Sequence, residues 1–130
     1  MIPMQSGCSC SCGTSPVSGP KLIFSCSGAA DVGELADRAA RKLTREGHGS
    51  MFCLAGIGGR VSGILKSTEA AGTILAIDGC PLDCAKKSLE EAGFNNFKHI
   101  RLNDLGFEKG KTTVDNTSIT QVMNLAKMHL

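Results

Sequence analysis

Seven cysteines stand in this chain of 130 residues, and their placement is uneven. Cys8, Cys10 and Cys12 crowd near the start, while Cys26, Cys53, Cys80 and Cys84 are spread over the rest. Thiolates are soft ligands that suit zinc or an iron–sulfur cluster, and four of them close a tetrahedral site. The same groups can instead serve as redox nucleophiles. An odd number is awkward for a fully paired disulfide framework. Cys80-Pro81-Leu82-Asp83-Cys84 has the spacing that lets one turn of backbone present two sulfurs. A helix N-terminus there would favour thiolate over thiol, because its free N–H groups and dipole stabilise negative charge. Lys86 and Lys87 follow and would offset that charge if they point inward.

The elements that must position these sulfurs are readable from periodicity. Lys21 to Cys26 is a short apolar run ended by Ser27-Gly28, which reads as a buried strand. Gly33 to Glu46 carries Leu35, Ala36, Ala39, Ala40 and Leu43 at helical spacing. Its other face holds Arg38, Arg41, Lys42 and Arg45 and reads as solvated. Ser50 to Ala55 is predicted as a second strand, cut by Gly56-Ile57-Gly58-Gly59, with a weaker helix from Val61 to Ala71. Thr73 to Asp78 is the clearest buried strand. Pro81 is expected to open the next helix, since proline suits the first helical position. Asn96 to Leu102 reads as a more exposed fourth strand, followed by a polar loop over 103–116. Ser118 with Gln121 forms a capping-box pattern for a last helix through His129.

This alternation predicts a single three-layer α/β domain over residues 20–130, with a mostly parallel four-stranded sheet and helices on both faces. Ligands in such sheets sit beyond the carboxyl ends of the strands, at a topological switch point. Cys26 ends the first strand, Cys53 lies near the end of the second, and Cys80 and Cys84 follow the third. The four sulfurs are therefore expected at one sheet edge, as ligands of one metal ion. Asp78 closes the third strand at that edge. Its carboxylate can accept backbone N–H bonds from the Gly79–Cys84 turn and hold Cys80 in place, ligate directly, or simply cap the turn. Asp31 and Asp83 are expected to cap helices, and His48, His99 and His129 to lie at the surface. Gly56 to Gly59 would let the backbone pass close to the metal site. Gly106 to Thr112 is one residue short of a phosphate loop, and Cys53 and Arg60 are one residue too far apart for a cysteine-phosphatase loop.

Residues 1–19 hold no charged side chain and no apolar period, so a flexible Ser/Gly/Cys-rich tail is expected there. In an extended tail Cys8, Cys10 and Cys12 would point one way and could add metal ligands. A formal charge of +2 and the absence of Trp and Tyr argue against a nucleic-acid partner. No stretch approaches the ~18 apolar residues of a membrane span, so no membrane partner is expected. The start lacks the features of an export or transit signal, which makes the cytoplasm the expected compartment.

Two segments carry a family resemblance. Cys26-Ser27-Gly28-Ala29-Ala30-Asp31-Val32-Gly33-Glu34-Leu35-Ala36 and Ile77-Asp78-Gly79-Cys80-Pro81-Leu82-Asp83-Cys84-Ala85-Lys86-Lys87 together resemble the DGC-domain family. These are small prokaryotic proteins to which zinc binding is ascribed, and the family's name is the triplet that stands here as Asp78-Gly79-Cys80. Asp104 to Gly110 is similar to a later family segment. The resemblance covers roughly residues 20–130. It implies metal binding through Cys26, Cys80 and Cys84, with Cys53 as the fourth ligand, and it names no pathway or protein partner. The expectation is thus a small zinc-binding protein with no evident catalytic set. A thiol redox enzyme using Cys80 and Cys84, or a small iron–sulfur protein, stands as the alternative.

Overall fold

The four apolar runs become four parallel strands of one sheet: β1 (Lys21–Ser25), β2 (Ser50–Met51), β3 (Thr73–Asp78) and β4 (Lys98–Arg101). The computed structural model describes residues 19–130, so most of the expected tail, with Cys8, Cys10 and Cys12, lies outside the described residues. Strand order is β2-β1-β3-β4. The chain steps outward from β1 to β2, then returns past β1 to lay down β3. The switch point therefore falls between β1 and β3, whose register pairs Phe24 with Ala76 and Ser25 with Ile77.

Helices α1 (Asp31–Arg45), α2 (Leu54–Gly58), α3 (Ser62–Glu69), α4 (Cys84–Glu91) and α5 (Asn116–Ala126) complete the layers. Strand side chains alternate between the two faces. Ile23, Leu75 and Ile77 pack with Leu35 and Leu43 of α1 and with Val122 of α5. Leu22, Phe24 and Ala76 pack on the other face with Ile57 of α2 and with Ala85 and Leu89 of α4. Each large side chain buried this way contributes roughly 1.5–3 kcal/mol. The outer face of α1 is solvated as its pattern predicts, with Glu34–Arg38 and Asp37–Arg41 pairs at 2.9 and 2.7 Å.

Three local expectations change. The second strand stops at Met51, and residues 54–58 coil into α2 instead of passing as an open glycine loop. The Cys53 sulfur accepts the Gly56 N–H at 3.3 Å and caps that turn. A Cβ on Gly56 would lie 2.7 Å from Ile64, so the glycine lets α2 sit directly on α3. Second, Pro81 does not open α4: residues 80–83 form a turn closed by Asp83 N–H to the Cys80 carbonyl at 3.2 Å, and the helix begins at Cys84. Third, the capping box of α5 is Asp115 with Ser118, one turn before the Ser118–Gln121 pattern. Aspartate caps at least as well as serine, and here it accepts the Ser118 N–H at 2.9 Å.

Candidate functional site

Beyond the carboxyl ends of β1 and β3, two loops meet the start of α1. Cys26 extends the sheet pairing by one residue, its N–H reaching the Ile77 carbonyl at 3.0 Å. Gly79 follows β3 and lies against α1, where a Cβ would come 2.8 Å from the Val32 carbonyl carbon. Gly33 of α1 lies closer still to the Gly28 backbone. These glycines draw the Cys26 and Cys80 loops together at the switch point. A pocket of about 430 Å³ results, and Cys26, Cys80 and Cys84 all line it.

Burial pushes the half-buried Cys26 thiol above its ordinary pKa. The backbone N–H groups of Gly28 and Gly79 oppose that shift by hydrogen bonding the sulfur, while the negative charges of Asp78 and Cys84 add to it. The sulfur thus faces two backbone donors on one side and acidic neighbours on the other. Lys109 lies at the pocket wall. Its loop is fastened by Asp31, whose carboxylate accepts the Gly110 and Thr112 N–H groups at 2.9 and 3.0 Å. Asp31 was expected only to cap its helix. The cap position of α1 is instead Ala30 and no side chain caps the helix; Asp31 stands in the first turn, where it accepts the Val32 N–H at 2.8 Å and ties this distant loop to the start of α1.

Cys53 stands apart from this trio. It lines the neighbouring groove, which Cys26 also lines, so Cys26 forms the wall between the two spaces. Cys53 and Cys84 are exposed, and Cys26 and Cys80 are half-buried. Among the described residues, no three cysteine sulfurs lie within 4.8 Å of one another. The group that does meet that distance is Asp78, Asp83 and His99.

That group underpins the cysteine turn. Asp78 is 1% exposed. Its two oxygens accept the Ala85 N–H at 2.7 Å and the Lys86 N–H at 3.0 Å, in the first turn of α4. The donors lie just beyond the Gly79–Cys84 turn from which they were expected. His99 Nε2 adds a 2.8 Å contact to Asp78 Oδ2. Asp83 sits at the N-cap position of α4 with φ at 55°, yet its side chain makes no cap. It pairs in fork fashion with Arg101 at 2.9 and 2.6 Å. The Arg101 hydrogen bonds hold the Asp83 carboxyl below the usual carboxylate range, against a smaller opposing effect of burial. Every oxygen of the two carboxylates therefore has a donor, so the trio is a hydrogen-bonded support and not an open cation site. His99 is half-buried, where a surface position was expected. The missed signal was the alternation Lys98-His99-Ile100-Arg101, which puts His99 and Arg101 on the face of β4 that Asp78 shares on β3.

A family model described as DGC domain matches residues 22–126. The chain belongs to the DGC-domain family. Within its naming triplet, Asp78 holds α4, Gly79 touches α1, and Cys80 offers a sulfur to the pocket. The chain is similar to a Pseudomonas aeruginosa protein named Anaerobic and virulence modulator AnvM. The two are 36% identical over 88 residues, covering 68% of this chain and 67% of the relative. No solved structure matches. Among the described residues, no helix is long and apolar enough to cross a membrane.

Proposed function

We propose that this protein is a small cytoplasmic zinc-binding protein whose metal is held by the thiolates of Cys26, Cys80 and Cys84, with Cys53 as the fourth ligand. The observation that carries the reading is that three thiols from two separate loops line one pocket at the switch point. The donor chemistry fits zinc, which takes thiolates in closed sites, and closing the site would bring the sulfurs together from positions where no three lie within 4.8 Å among the described residues, with Cys53 coming across from the neighbouring groove. The glycine N–H groups around Cys26 suit a sulfur that carries charge. Asp78 fixes the start of α4 and thereby the position of Cys84. When bound, the ion would supply the positive charge that keeps the thiols deprotonated, and it would tie the ends of β1 and β3 together. A regulatory role accords with the name of the Pseudomonas relative.

The test is metal content after anaerobic purification. About one zinc per chain in a colourless sample is expected, with loss of metal and of thermal stability in Cys80→Ser. A brown sample containing iron and sulfide would replace zinc by a cluster. A second reading, a thiol redox enzyme, draws on Cys84, which is exposed in the first turn of α4. It requires fast alkylation of Cys80 or Cys84 without chelator, whereas zinc-bound sulfurs should react only after chelator is added.

A further inference from the structure

The groove beside the cysteine pocket has a volume of about 960 Å³, which lies within the range of roughly 300–1,000 Å³ typical of small-molecule sites. Its composition differs from that of the cysteine pocket. Arg41 and Arg45 line it from consecutive turns of α1, Phe52 and Leu54 add apolar lining, and Cys53 between these two in the chain is exposed. Asp37 fixes Arg41 through Nε at 2.7 Å and itself receives the Ser27 hydroxyl at 2.7 Å. Among the described residues, the outer nitrogens of Arg41 and the whole Arg45 guanidinium have no carboxylate partner. Ser25 also lines the groove and is 2% exposed. Its oxygen accepts the Ser27 N–H at 3.1 Å, and its own proton has no acceptor among the described residues. A buried donor left unspent in this way points to an acceptor that enters from the groove.

We propose that this groove binds a small carboxylate-bearing thiol, and that the disulfide of that thiol modifies Cys53. Arg41 and Arg45 hold the carboxylate, the Phe52 side contacts the carbon chain, and the sulfur end faces Cys53. Cys53 loses its proton to water and attacks one sulfur of the bound disulfide. The Cys53–sulfur bond forms, the disulfide bond breaks, and the second half leaves as a thiolate that takes up a proton. Cys53 is oxidised to a mixed disulfide, and one half of the reagent is reduced to thiol. The step requires no metal. Where Cys53 is a zinc ligand, it also removes that ligand, which would couple the metal site to the redox state of the small-thiol pool.

The experiment uses the full chain as purified and reduced, with metal content recorded on the same sample. Dithiodipropionate serves as the anionic disulfide and hydroxyethyl disulfide as the neutral one, and peptide mass analysis follows modification at Cys53 and Cys84. Cys84 is also exposed and lies in the pocket that carries Lys109 but not these arginines, so it is the internal reference. The expected result is a preference of roughly fivefold to tenfold for the anionic reagent at Cys53, as two guanidinium–carboxylate contacts would give, and a smaller one at Cys84, where Lys109 is exposed to solvent screening. Arg45→Gln should reduce that preference, read as the ratio of the anionic to the neutral rate on the same variant. Equal rates for the two reagents, an unmodified Cys53, or a preference that survives Arg45→Gln would overturn the proposal. The rates are read again after chelator has removed any metal, so that protection of Cys53 by zinc and failure of the groove to bind the anionic reagent are told apart.

Discussion

Asp78 bears on the cysteine turn without supplying a sulfur. Its buried carboxylate accepts two helix N–H groups and the His99 ring, so removing its charge leaves donors facing a weaker acceptor. Asp78→Asn would place an amide NH2 where only acceptors fit, at a cost of about 2 kcal/mol. That corresponds to roughly 10 °C in Tm for a domain of this size. His99→Ala should cost less, about 1 kcal/mol, because His99 is partly solvated and Asp78 keeps its two N–H partners. Thermal melts of the two variants check the order, and an unchanged Tm in Asp78→Asn would remove the supporting role. A strand-end aspartate beside a glycine and a cysteine made a backbone-accepting role readable from sequence. The alternation in β4 marked the face that His99 shares with Arg101, but the contact itself also requires knowing that β4 pairs with β3 and in which register.

At the scale of elements, the long apolar runs were legible and the short ones were not. The strand at Thr73–Asp78 and the helix around Leu35 to Leu43 carry enough periodic positions to declare themselves. Residues 50–58 do not, since a two-residue strand runs into a five-residue helix through apolar side chains that fit either. Pro81 misled for a related reason: a proline that fits the first turn of a helix also fits the tight turn preceding one. Close approach between elements gives a sharper test. In Gly79→Ala the new methyl would meet Val32 backbone atoms at 2.8–2.9 Å, and backbone cannot yield as a side-chain end can. A loss of about 1–3 kcal/mol is expected, with the Cys80 loop displaced from Cys26 and metal content reduced. Gly63→Ala is the control, because nothing lies within 4 Å of its Cβ position inside α3. It should be neutral or stabilise by up to about 1 kcal/mol. If Gly79→Ala melts as the wild type does, the contact between β3 and α1 does not set the pocket.

For the whole molecule, parallel strands place every crossover helix so that strand ends, and the cysteines on them, gather at one edge. That gathering was legible for Cys26, Cys80 and Cys84, which line one pocket, because chain order and strand ends were enough to imply it, whereas Cys53 lines the neighbouring groove. The clamp closing the pocket was not, since it joins Asp31 to Gly110 and Thr112 across most of the chain. Its pH dependence follows from the hydrogen bonds. The Gly110 and Thr112 N–H groups hold the Asp31 carboxyl below its ordinary range, with burial opposing and Val32 adding a smaller effect in the same direction. A depressed folded-state pKa means the clamp contributes fully above the unfolded value of about 3.9 and is lost as pH falls through the lower folded value. Near neutrality the loop carrying Lys109 should therefore stay fastened, and acid should release it. The amide proton shifts of Gly110 and Thr112, followed by NMR, should titrate together with a midpoint below about 3.9. In Asp31→Ala both amides should lose that titration and exchange with solvent faster at neutral pH, while the β1 and β3 amides stay protected. A midpoint at or above the ordinary carboxylate value, or unchanged exchange in the variant, would mean that Asp31 does not hold the loop.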